Sequence, residues 1–235
     1  MGSVVVRVVA SSVTGPAHQR YGLPCQDAWL AVPSDRACFA VVCDGMGSRP
    51  RAREGARAAI RAARDAWRAW SRSPVGSVED LVRLLEVFWR LRLGTLPPED
   101  CATTCLLYGE DGHGRAAIAQ LGDGLIAHRA GDGRIRVHPS RTNDFGLTDA
   151  LGCPHTLGHW SLALVAPLRP GEALLLATDG VSEDLEPSRL GDLVAWVTDD
   201  LGLQPQPWRQ LAAELRRWPV PGHHDDKTLL VMWRP

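Results

Sequence analysis

Short apolar runs that meet an acidic residue recur from one end of this chain to the other, and they limit how it can fold. Three of them end in Asp-Gly, and a fourth begins with a pair of aspartates. They occupy residues 41–45, 118–124, 174–180 and 225–231. Apolar runs of this length, rich in strand-forming residues, predict buried strands. Each acidic side chain would then lie at the rim of a sheet.

Carboxylates at such rims need a positive partner. Withdrawing one from water costs several kcal/mol unless an opposite charge meets it. The three runs that end in Asp-Gly contain no Lys or Arg that could do so. The simplest explanation is that Asp44, Asp123, Asp179 and the closing acidic pair converge on shared metal ions.

A hairpin turn is the alternative explanation for any one Asp-Gly pair, because both residues tolerate a positive φ angle. We prefer that explanation for Asp111-Gly112 and Asp132-Gly133, which lie between apolar segments of similar length. For each of the other three pairs, taken singly, a turn is an equally good explanation. Their occurrence together with the closing acidic pair favours the metal site.

The length and composition are those of a globular protein. A chain of 235 residues forms one fairly large domain, or at most two small ones. Its net charge of −1 gives no reason to expect nucleic acid or a membrane surface as a partner. No apolar run is long enough to span a bilayer, and the first ten residues are too short for a signal peptide. We therefore expect a cytoplasmic monomer.

The periodicity of the sequence predicts strands grouped into hairpins and helices in pairs. Strands are predicted at residues 4–10, 29–32, 37–43, 102–108, 115–121, 125–129, 135–138, 161–166, 173–177 and 228–233. Helices are predicted at residues 51–70, 77–93, 189–199 and 208–218, with Ser77 and Asp80 capping the second. Residues 139–160 show no period and predict a long functional loop. The expected fold is an α+β sandwich of two antiparallel sheets flanked by helix pairs.

Two other patterns carry less weight. Arginines recur at three- and four-residue steps over residues 49–68, which is typical of a solvated helix face. Cys153, His155 and His159 resemble a zinc site but lack a fourth ligand at the usual spacing. The six cysteines form no Cys-x-x-Cys pair, and we expect them to be free thiols in a reducing compartment.

Aspartates without neighbouring His or Cys ligands favour hard divalent ions, Mg²⁺ or Mn²⁺. A glycine after each aspartate lets the backbone carbonyl approach an ion or a bridging water. Two such ions can deprotonate a shared water for attack on phosphorus and neutralise the phosphate oxygens. Metal-assisted hydrolysis of a phosphate ester is therefore the expected reaction class.

Six motifs stand in one order along nearly the whole chain. They are Gln26-Asp27-Ala28, Asp44-Gly45-Met46-Gly47, Ala102-Thr103-Thr104, Gly122-Asp123-Gly124, Ala177-Thr178-Asp179-Gly180 and Asp225-Asp226-Lys227-Thr228. In this order the chain, from about residue 12 to residue 231, resembles the metal-dependent protein phosphatases of type 2C, in a divergent bacterial branch. Each motif is weak alone, and the ordered set is specific. The resemblance implies a single domain of this type over residues 1–235.

The resemblance implies a role for each acidic motif. Asp44 would bridge two metal ions, and the Gly45 carbonyl would bind the second of them. Asp179 and Asp225 would complete the carboxylate ligands of the first ion. Asp123 matches the acid that holds a third, weaker ion in bacterial relatives. The implied cofactors are thus two Mg²⁺ or Mn²⁺ ions, with a third at Asp123.

The ligand assignment depends on the alignment at two places. Placing Thr228 on the family's threonine selects Asp225 as the ligand, whereas a slip of one residue would select Asp226. In the early motif, Gln26 replaces the family's acidic residue, and this leaves Asp27 as the nearest carboxylate.

Two departures concern the substrate side of the site. Met46 stands where animal-type enzymes have a histidine thought to protonate the leaving group, so a water would have to serve. The family's phosphate-binding arginine has no exact counterpart, because Gly22 occupies its place. Arg20 is the nearest candidate and His18 the second, and a simple loop cation is an equally good interpretation of Arg20.

The leading hypothesis is a Mg²⁺- or Mn²⁺-dependent protein phosphatase that acts on phosphoserine and phosphothreonine and opposes a bacterial Ser/Thr kinase. The rival is a non-catalytic regulatory module that binds phosphoproteins, with Gln26, Met46 and the missing arginine as signs of lost activity. Retention of Asp44, Asp179 and Asp225 argues against this rival. A third hypothesis, a phosphatase of small phosphate esters, is left open by the sequence.

Overall fold

The computed structural model describes residues 5–73, 75–141, 148–218 and 224–235. Within these residues the chain forms ten β-strands and six α-helices. The strands are β1 Arg7–Val13, β2 Ala28–Val32, β3 Phe39–Cys43, β4 Cys105–Glu110, β5 Ala116–Leu121, β6 Leu125–Arg129, β7 Ile135–Val137, β8 Ser161–Val165, β9 Ala173–Ala177 and β10 Lys227–Trp233. The helices are α1 Pro16–Arg20, α2 Ala52–Trp70, α3 Val78–Leu93, α4 Asp179–Ser182, α5 Leu190–Ala195 and α6 Pro207–Arg217.

The strands form two five-stranded sheets in which every neighbouring pair is antiparallel. The first sheet has the order β1-β10-β9-β6-β7, and the second has the order β2-β3-β4-β5-β8. Strands β5 and β6 follow each other along the chain but belong to different sheets. The segment between them, which carries Asp123, therefore passes from one sheet to the other.

The apolar side chains separate into three buried layers. One layer lies between the sheets and includes Val42, Leu106, Leu176 and Leu230. A second lies between α2, α3 and the outer face of the β2-β3-β4-β5-β8 sheet. The third lies between the other sheet and the helices near the C-terminus. These layers confirm the predicted α+β sandwich of two antiparallel sheets flanked by helices.

The two long helices form for reasons that the sequence shows. Small residues recur on one face of α2, and Ala56, Ala59, Ala63 and Ala66 are fully buried there. The start of α3 is fixed by a capping box, in which the Ser77 hydroxyl accepts a hydrogen bond from the Asp80 amide and the Asp80 carboxylate accepts one from the Ser77 amide. Both helices were predicted to within one residue.

Several element bounds were predicted wrongly. The first strand was expected over residues 4–10, but it runs from Arg7 to Val13 because the Ser11 and Ser12 backbone continues the pairing with β10. Position 4 lies outside the described residues. The strand expected over residues 102–108 begins only at Cys105, because the preceding residues hold the Asp44 loop instead. Residues 16–20, expected as a loop, form α1. The helix expected over residues 189–199 is α5 followed by a π-helical turn.

The two Asp-Gly pairs that we assigned to turns do connect adjacent antiparallel strands. Asp111 Oδ1 accepts hydrogen bonds from the His113 and Arg115 amides, which is the local bonding expected of an aspartate in a turn. All six cysteines are free thiols. No helix in the described part of the chain is both long and apolar enough to cross a membrane.

Candidate metal centre

Three aspartates from distant parts of the sequence meet at one end of the sandwich. Asp44 follows β3, Asp179 begins α4 directly after β9, and Asp225 precedes β10. One carboxylate oxygen from each lies within 4.8 Å of the others. Asp44 and Asp179 are half-buried and Asp225 is exposed. Over the ranges that the structure describes, this is the one group of three or more His, Cys, Asp or Glu side chains with that spacing.

Strand register explains why these aspartates converge. Ala177, the last residue of β9, lies opposite Leu229 of β10 on one side and Leu125 of β6 on the other. The segments that carry Asp179, Asp225 and Asp123 therefore leave the first sheet at the same end. In the second sheet Ala28 lies opposite Cys43, which brings Asp27 and Asp44 to one edge. Both sheets thus present their acidic residues at a common end.

The backbone of Asp44 is fixed by the Ala102-Thr103-Thr104 motif. The Asp44 amide donates to Thr104 Oγ1 at 3.0 Å, while Thr103 Oγ1 and the Thr104 amide donate to the Asp44 carbonyl oxygen at 2.7 and 2.8 Å. The Met46 amide donates to the Ala102 carbonyl at 3.0 Å. The loop after β3 therefore has a fixed course before any ion binds.

Asp27 is buried beside Asp44 and joins both sheets. Its Oδ2 accepts hydrogen bonds from Thr178 Oγ1 at 2.9 Å and from Thr228 Oγ1 at 2.7 Å. Its Oδ1 is buried without a hydrogen-bond partner. Burial, with a smaller contribution from the charge of Asp226, raises the pKa of Asp27 to about 7. A buried carboxylate oxygen without a donor is suited to a cation or to a water bound by one.

The closing acidic pair divides into two different surroundings. Asp225 contributes to the acidic cluster, and its Oδ1 accepts a hydrogen bond from the Asp226 amide at 2.8 Å. Asp226 is 1% exposed and lies outside the cluster. Its carboxylate accepts hydrogen bonds from the Gly15 amide at 2.7 Å and the Gln26 amide at 2.6 Å. Of the closing pair, Asp225 therefore lies in the acidic cluster and Asp226 does not.

Asp123 lies next to the cluster but is not one of the three aspartates with the spacing given above. The glycines on either side of it, Gly122 and Gly124, both have a φ angle of +96°, which L side chains rarely adopt. Thr148 Oγ1 donates to Asp123 Oδ2 at 2.7 Å. Burial and then the charge of Asp123 raise the pKa of Asp179 to about 6. Asp123 therefore lies close enough to Asp179 for the two carboxylates to repel each other.

The crowded carboxylates repel one another, which destabilises their charged forms when no cation is bound. Burial, followed by the charges of Asp27, Asp179 and Asp225, raises the pKa of Asp44 well above its ordinary range. A divalent cation would reverse that effect by replacing repulsion with attraction. The donor set consists of oxygens alone, which suits Mg²⁺ or Mn²⁺ better than zinc.

The two side chains proposed for the substrate phosphate differ in their positions. Arg20 is exposed at the end of α1. The His18 side chain is 13% exposed, and its Nδ1 lies 2.9 Å from Asp226 Oδ2. The point where a Cβ of Gly47 would stand is 3.9 Å from His18 Nε2. Of these two side chains, His18 is therefore the one that borders the Asp44–Gly47 loop.

The histidines of the weaker zinc pattern, His155 and His159, contact other groups instead. The two nitrogens of His155 contact Glu86 Oε1 at 3.0 Å and the Cys153 carbonyl oxygen at 2.9 Å, and His159 Nδ1 accepts a hydrogen bond from the Thr156 amide at 2.9 Å. These contacts tie the segment after residue 148 to α3 and to itself.

Sequence reasoning missed the residues that support the aspartates. Thr178 and Thr228 bind the Asp27 carboxylate, and the Thr228 amide also donates to Thr178 Oγ1 at 3.0 Å. Gly180 is required by close packing, since a Cβ there would stand 1.9 Å from the Asp226 carbonyl oxygen. Both threonines lie inside the acidic motifs, but nothing local in the sequence shows that they bind Asp27.

Comparisons with known proteins agree with this architecture. A family model described as protein phosphatase 2C matches residues 14–218. A comparison with curated proteins finds no significant match. Among solved structures, PppA, "a key regulatory component of T6SS in Pseudomonas aeruginosa", is 20% identical, with 97% of each chain covered and a TM-score of 0.65. The PPM Ser-Thr phosphatase MsPP from Mycobacterium smegmatis, in complex with cacodylate, is 19% identical, with 98% of this chain and 99% of that chain covered and a TM-score of 0.65.

The catalytic domain of the serine/threonine phosphatase PstP, in complex with two manganese ions, is also similar in structure. It is 16% identical, with 97% of each chain covered and a TM-score of 0.64. At these identities the structural likeness establishes the fold, whereas the family model covers most of the chain and establishes the family. The chain belongs to the protein phosphatase 2C family, and with it to the metal-dependent phosphoprotein phosphatases.

Proposed function

We propose that this chain hydrolyses phosphoserine and phosphothreonine esters in proteins and depends on Mg²⁺ or Mn²⁺ to do so. The observation that carries the proposal is the convergence of Asp44, Asp179 and Asp225, whose carboxylate oxygens lie within 4.8 Å of one another at the common end of both sheets. An oxygen-only cluster of this kind is suited to a hard divalent ion. Family membership supplies the reaction class.

We propose that the residues of this centre hold at least two ions. Asp44, Asp179 and Asp225 would hold the first, and Asp44 with the Gly45 carbonyl would hold the second. Asp27, whose Oδ1 is buried without a partner, would bind a water of the second ion. Asp123 and Asp179 would hold a third. When bound, the ions would lower the pKa of a water and neutralise the phosphate oxygens.

The chain's own residues keep this site in place. Thr103 and Thr104 fix the Asp44 backbone, and Thr178 and Thr228 fix the Asp27 carboxylate. Preformed ligands of this kind do not have to reorganise when the ion and substrate bind. These hydrogen bonds hold crowded acids in place. A site used only for recognition has no need of crowded acids, and this favours a catalytic role over the regulatory alternative.

We propose that His18, rather than Arg20, is the side chain that contacts the substrate phosphate. Its imidazole borders the Asp44–Gly47 loop and is held by Asp226, whereas the Arg20 side chain is exposed on α1. We further propose that the substrate is a phosphorylated protein, that a cognate Ser/Thr kinase supplies it, and that the chain acts as a cytoplasmic monomer.

The experiment is a comparison of two substrates with and without Mn²⁺. Purified protein should release phosphate from a phosphothreonine peptide and from p-nitrophenyl phosphate when Mn²⁺ is present, and lose both activities when the ion is chelated. Asp44→Asn serves as the control for contaminating phosphatases. Turnover of p-nitrophenyl phosphate without any turnover of the peptide would favour a small-ester phosphatase. Tight binding of the peptide without turnover of either substrate would favour a regulatory module.

A further inference from the structure

A cavity of about 350 Å³ lies between the two sheets, beside their edge strands β7 and β8. Its apolar walls come from buried side chains of both sheets, Ile126 and Leu174 from the first and Ile118 from the second. This volume falls within the usual range of small-molecule sites. On β9, Leu174 precedes Ala177 by three residues, or about 10 Å of strand, and Ala177 is at the end that leads to Asp179. The cavity is therefore separate from the candidate metal centre.

The loop that follows β8 forms one wall of this cavity and is held in place by hydrogen bonds. The Leu168 amide donates to Tyr108 Oη and to Glu110 Oε1, both at 3.0 Å, and Tyr108 Oη donates to the same Glu110 oxygen at 2.8 Å. Glu110 is buried, and its other oxygen accepts a hydrogen bond from Arg234 at 2.6 Å. Because Tyr108 and Leu168 both line the cavity, this wall is formed before any ligand binds.

Polar side chains face this space, although the layer between the sheets is otherwise apolar. Residues of a strand alternate between its two faces, so His128 points into the same layer as Ile126. Arg136 lies directly opposite His128 in the β6–β7 pairing and shares its face. Arg169, from the loop after β8, also lines the cavity. Both arginines are exposed to solvent and therefore stand at the mouth of the cavity.

The charges at this mouth do not balance. Among the described residues, neither of the two guanidinium groups makes a hydrogen bond or an ion pair. Glu172 is the one carboxylate that lines the cavity, and its Oε2 lies 3.3 Å from His128 Nε2 and accepts a hydrogen bond from the Arg169 amide at 3.0 Å. Burial lowers the pKa of His138, so this imidazole adds no charge at neutral pH. The arginines and Glu172 together leave a formal surplus of one positive charge.

We propose that this cavity binds a small amphipathic monocarboxylate, with its hydrocarbon part between the sheets and its carboxylate at Arg136 and Arg169. Removing the hydrocarbon from water against Ile118, Ile126 and Leu174 supplies the apolar part of the affinity. A guanidinium group matches the planar carboxylate in shape and charge. A surplus of one charge suits a monocarboxylate better than a phosphate monoester, which carries close to two negative charges. This binding is independent of the metal centre and of the proposed phosphatase function.

The four isoleucines of the chain test the location of the ligand. Ile118 and Ile126 line the cavity, whereas Ile60 packs in the layer with α2 and α3, and Ile135 packs in the layer beside the C-terminal helices. In protein with labelled isoleucine methyl groups, octanoate should shift the Ile118 and Ile126 resonances saturably and leave the other two unchanged, with or without Mg²⁺. No saturable shift at Ile118 and Ile126, or equal shifts at all four methyl groups, would overturn the proposal.

Charge selection is tested by removing one guanidinium group at a time. Arg136→Gln and Arg169→Gln should each weaken octanoate binding about tenfold, whereas Arg134→Gln, at the exposed β6–β7 turn, removes the same charge and should leave the Kd unchanged. All three variants replace exposed side chains, which keeps the core intact. Octan-1-ol, which has the same hydrocarbon without the charge, should bind to the wild type at least about tenfold more weakly than octanoate.

Two outcomes of this comparison would contradict the proposal. The first is an equal Kd for octanoate and octan-1-ol, or an equal Kd for octanoate in all three variants and the wild type. The second is self-association of Arg136→Gln with unchanged octanoate binding. That result would assign the inward-facing arginine the role of keeping the edge strand β7 from pairing with another chain.

Discussion

At the scale of single residues, the carboxylates of the site are of two kinds: some face other carboxylates, and one accepts hydrogen bonds from several donors. Asp44 and Asp179 meet other acids, and burial together with these charges raises the pKa of both. Asp226, the residue that follows Asp225, lies outside the cluster and has three hydrogen-bond donors of its own. Removing a carboxylate charge should therefore change the stability of the metal-free fold in opposite directions at the two kinds of position.

Replacing a crowded aspartate should separate catalysis from stability. We expect Asp44→Asn and Asp179→Asn each to lower phosphatase activity by at least about a hundredfold, because metal polarisation contributes several kcal/mol to barrier reduction. The metal-free variants should unfold at the same temperature as the wild type or at a higher one, since repulsion between acids is relieved. Steady-state kinetics and thermal unfolding in chelator measure the two effects. Full activity in Asp44→Asn would contradict the assigned mechanism.

The closing acidic pair offers a test between neighbours. Asp225→Asn should abolish Mn²⁺-dependent turnover, because its carboxylate belongs to the cluster. Asp226→Asn should retain much of the turnover of p-nitrophenyl phosphate, because its carboxylate faces the Gly15 and Gln26 amides instead. Kinetics of the two variants side by side provide the measurement. The reverse order of losses would select the register shifted by one residue, and equal losses would mean that both acids act at the metals.

At the scale of elements, an ion pair joins the segment after residue 148 to α3. His155 Nε2 lies 3.0 Å from Glu86 Oε1, which also accepts a hydrogen bond from Trp160 Nε1 at 3.1 Å. The hydrogen bond to Glu86 raises the pKa of His155 above its ordinary 6.5. Partial burial acts to raise the pKa of Glu86, but the hydrogen bond and charge of His155 outweigh it and hold that pKa below its ordinary value.

This ion pair predicts a pH-dependent contribution to stability. A raised histidine pKa stabilises the fold fully below pH 6.5, and the contribution is lost as the pH rises through the raised value. His155→Gln should therefore lower the melting temperature more at about pH 6 than at about pH 9. Thermal unfolding at both pH values, with His113→Gln as control, is the measurement. An effect that is the same at both would show that the charge on His155 contributes nothing.

At the scale of the whole molecule, the sequence predicted the layers and the acidic end but not how the chain crosses between sheets. Local periodicity identifies strands such as β5 and β6, yet their assignment to different sheets depends on pairing partners far along the chain. The aspartates were identifiable because each meets a strand end. The threonines that bind Asp27 were not identifiable, because their hydroxyls lie 151 and 201 residues away from it along the chain and leave no local pattern. Helix α1 was missed because it has only five residues and buries none of them.

Because the acidic end joins both sheets, metal binding should stabilise the molecule as a whole. Asp44 and Asp27 belong to one sheet, Asp179 and Asp225 to the other, and their mutual repulsion in the metal-free protein acts directly against closing this end. An ion that binds only the folded chain adds about 2.7 kcal/mol of stability at a concentration one hundred times its Kd. We therefore expect Mn²⁺ to raise the melting temperature in a concentration-dependent manner, and chelator to reverse the rise. Asp44→Asn should lose most of this shift, whereas Asp132→Asn, at the exposed β6–β7 turn, should keep it. A melting temperature that does not respond to Mn²⁺ in the wild-type protein would mean that these four carboxylates do not form a metal site, whatever their spacing.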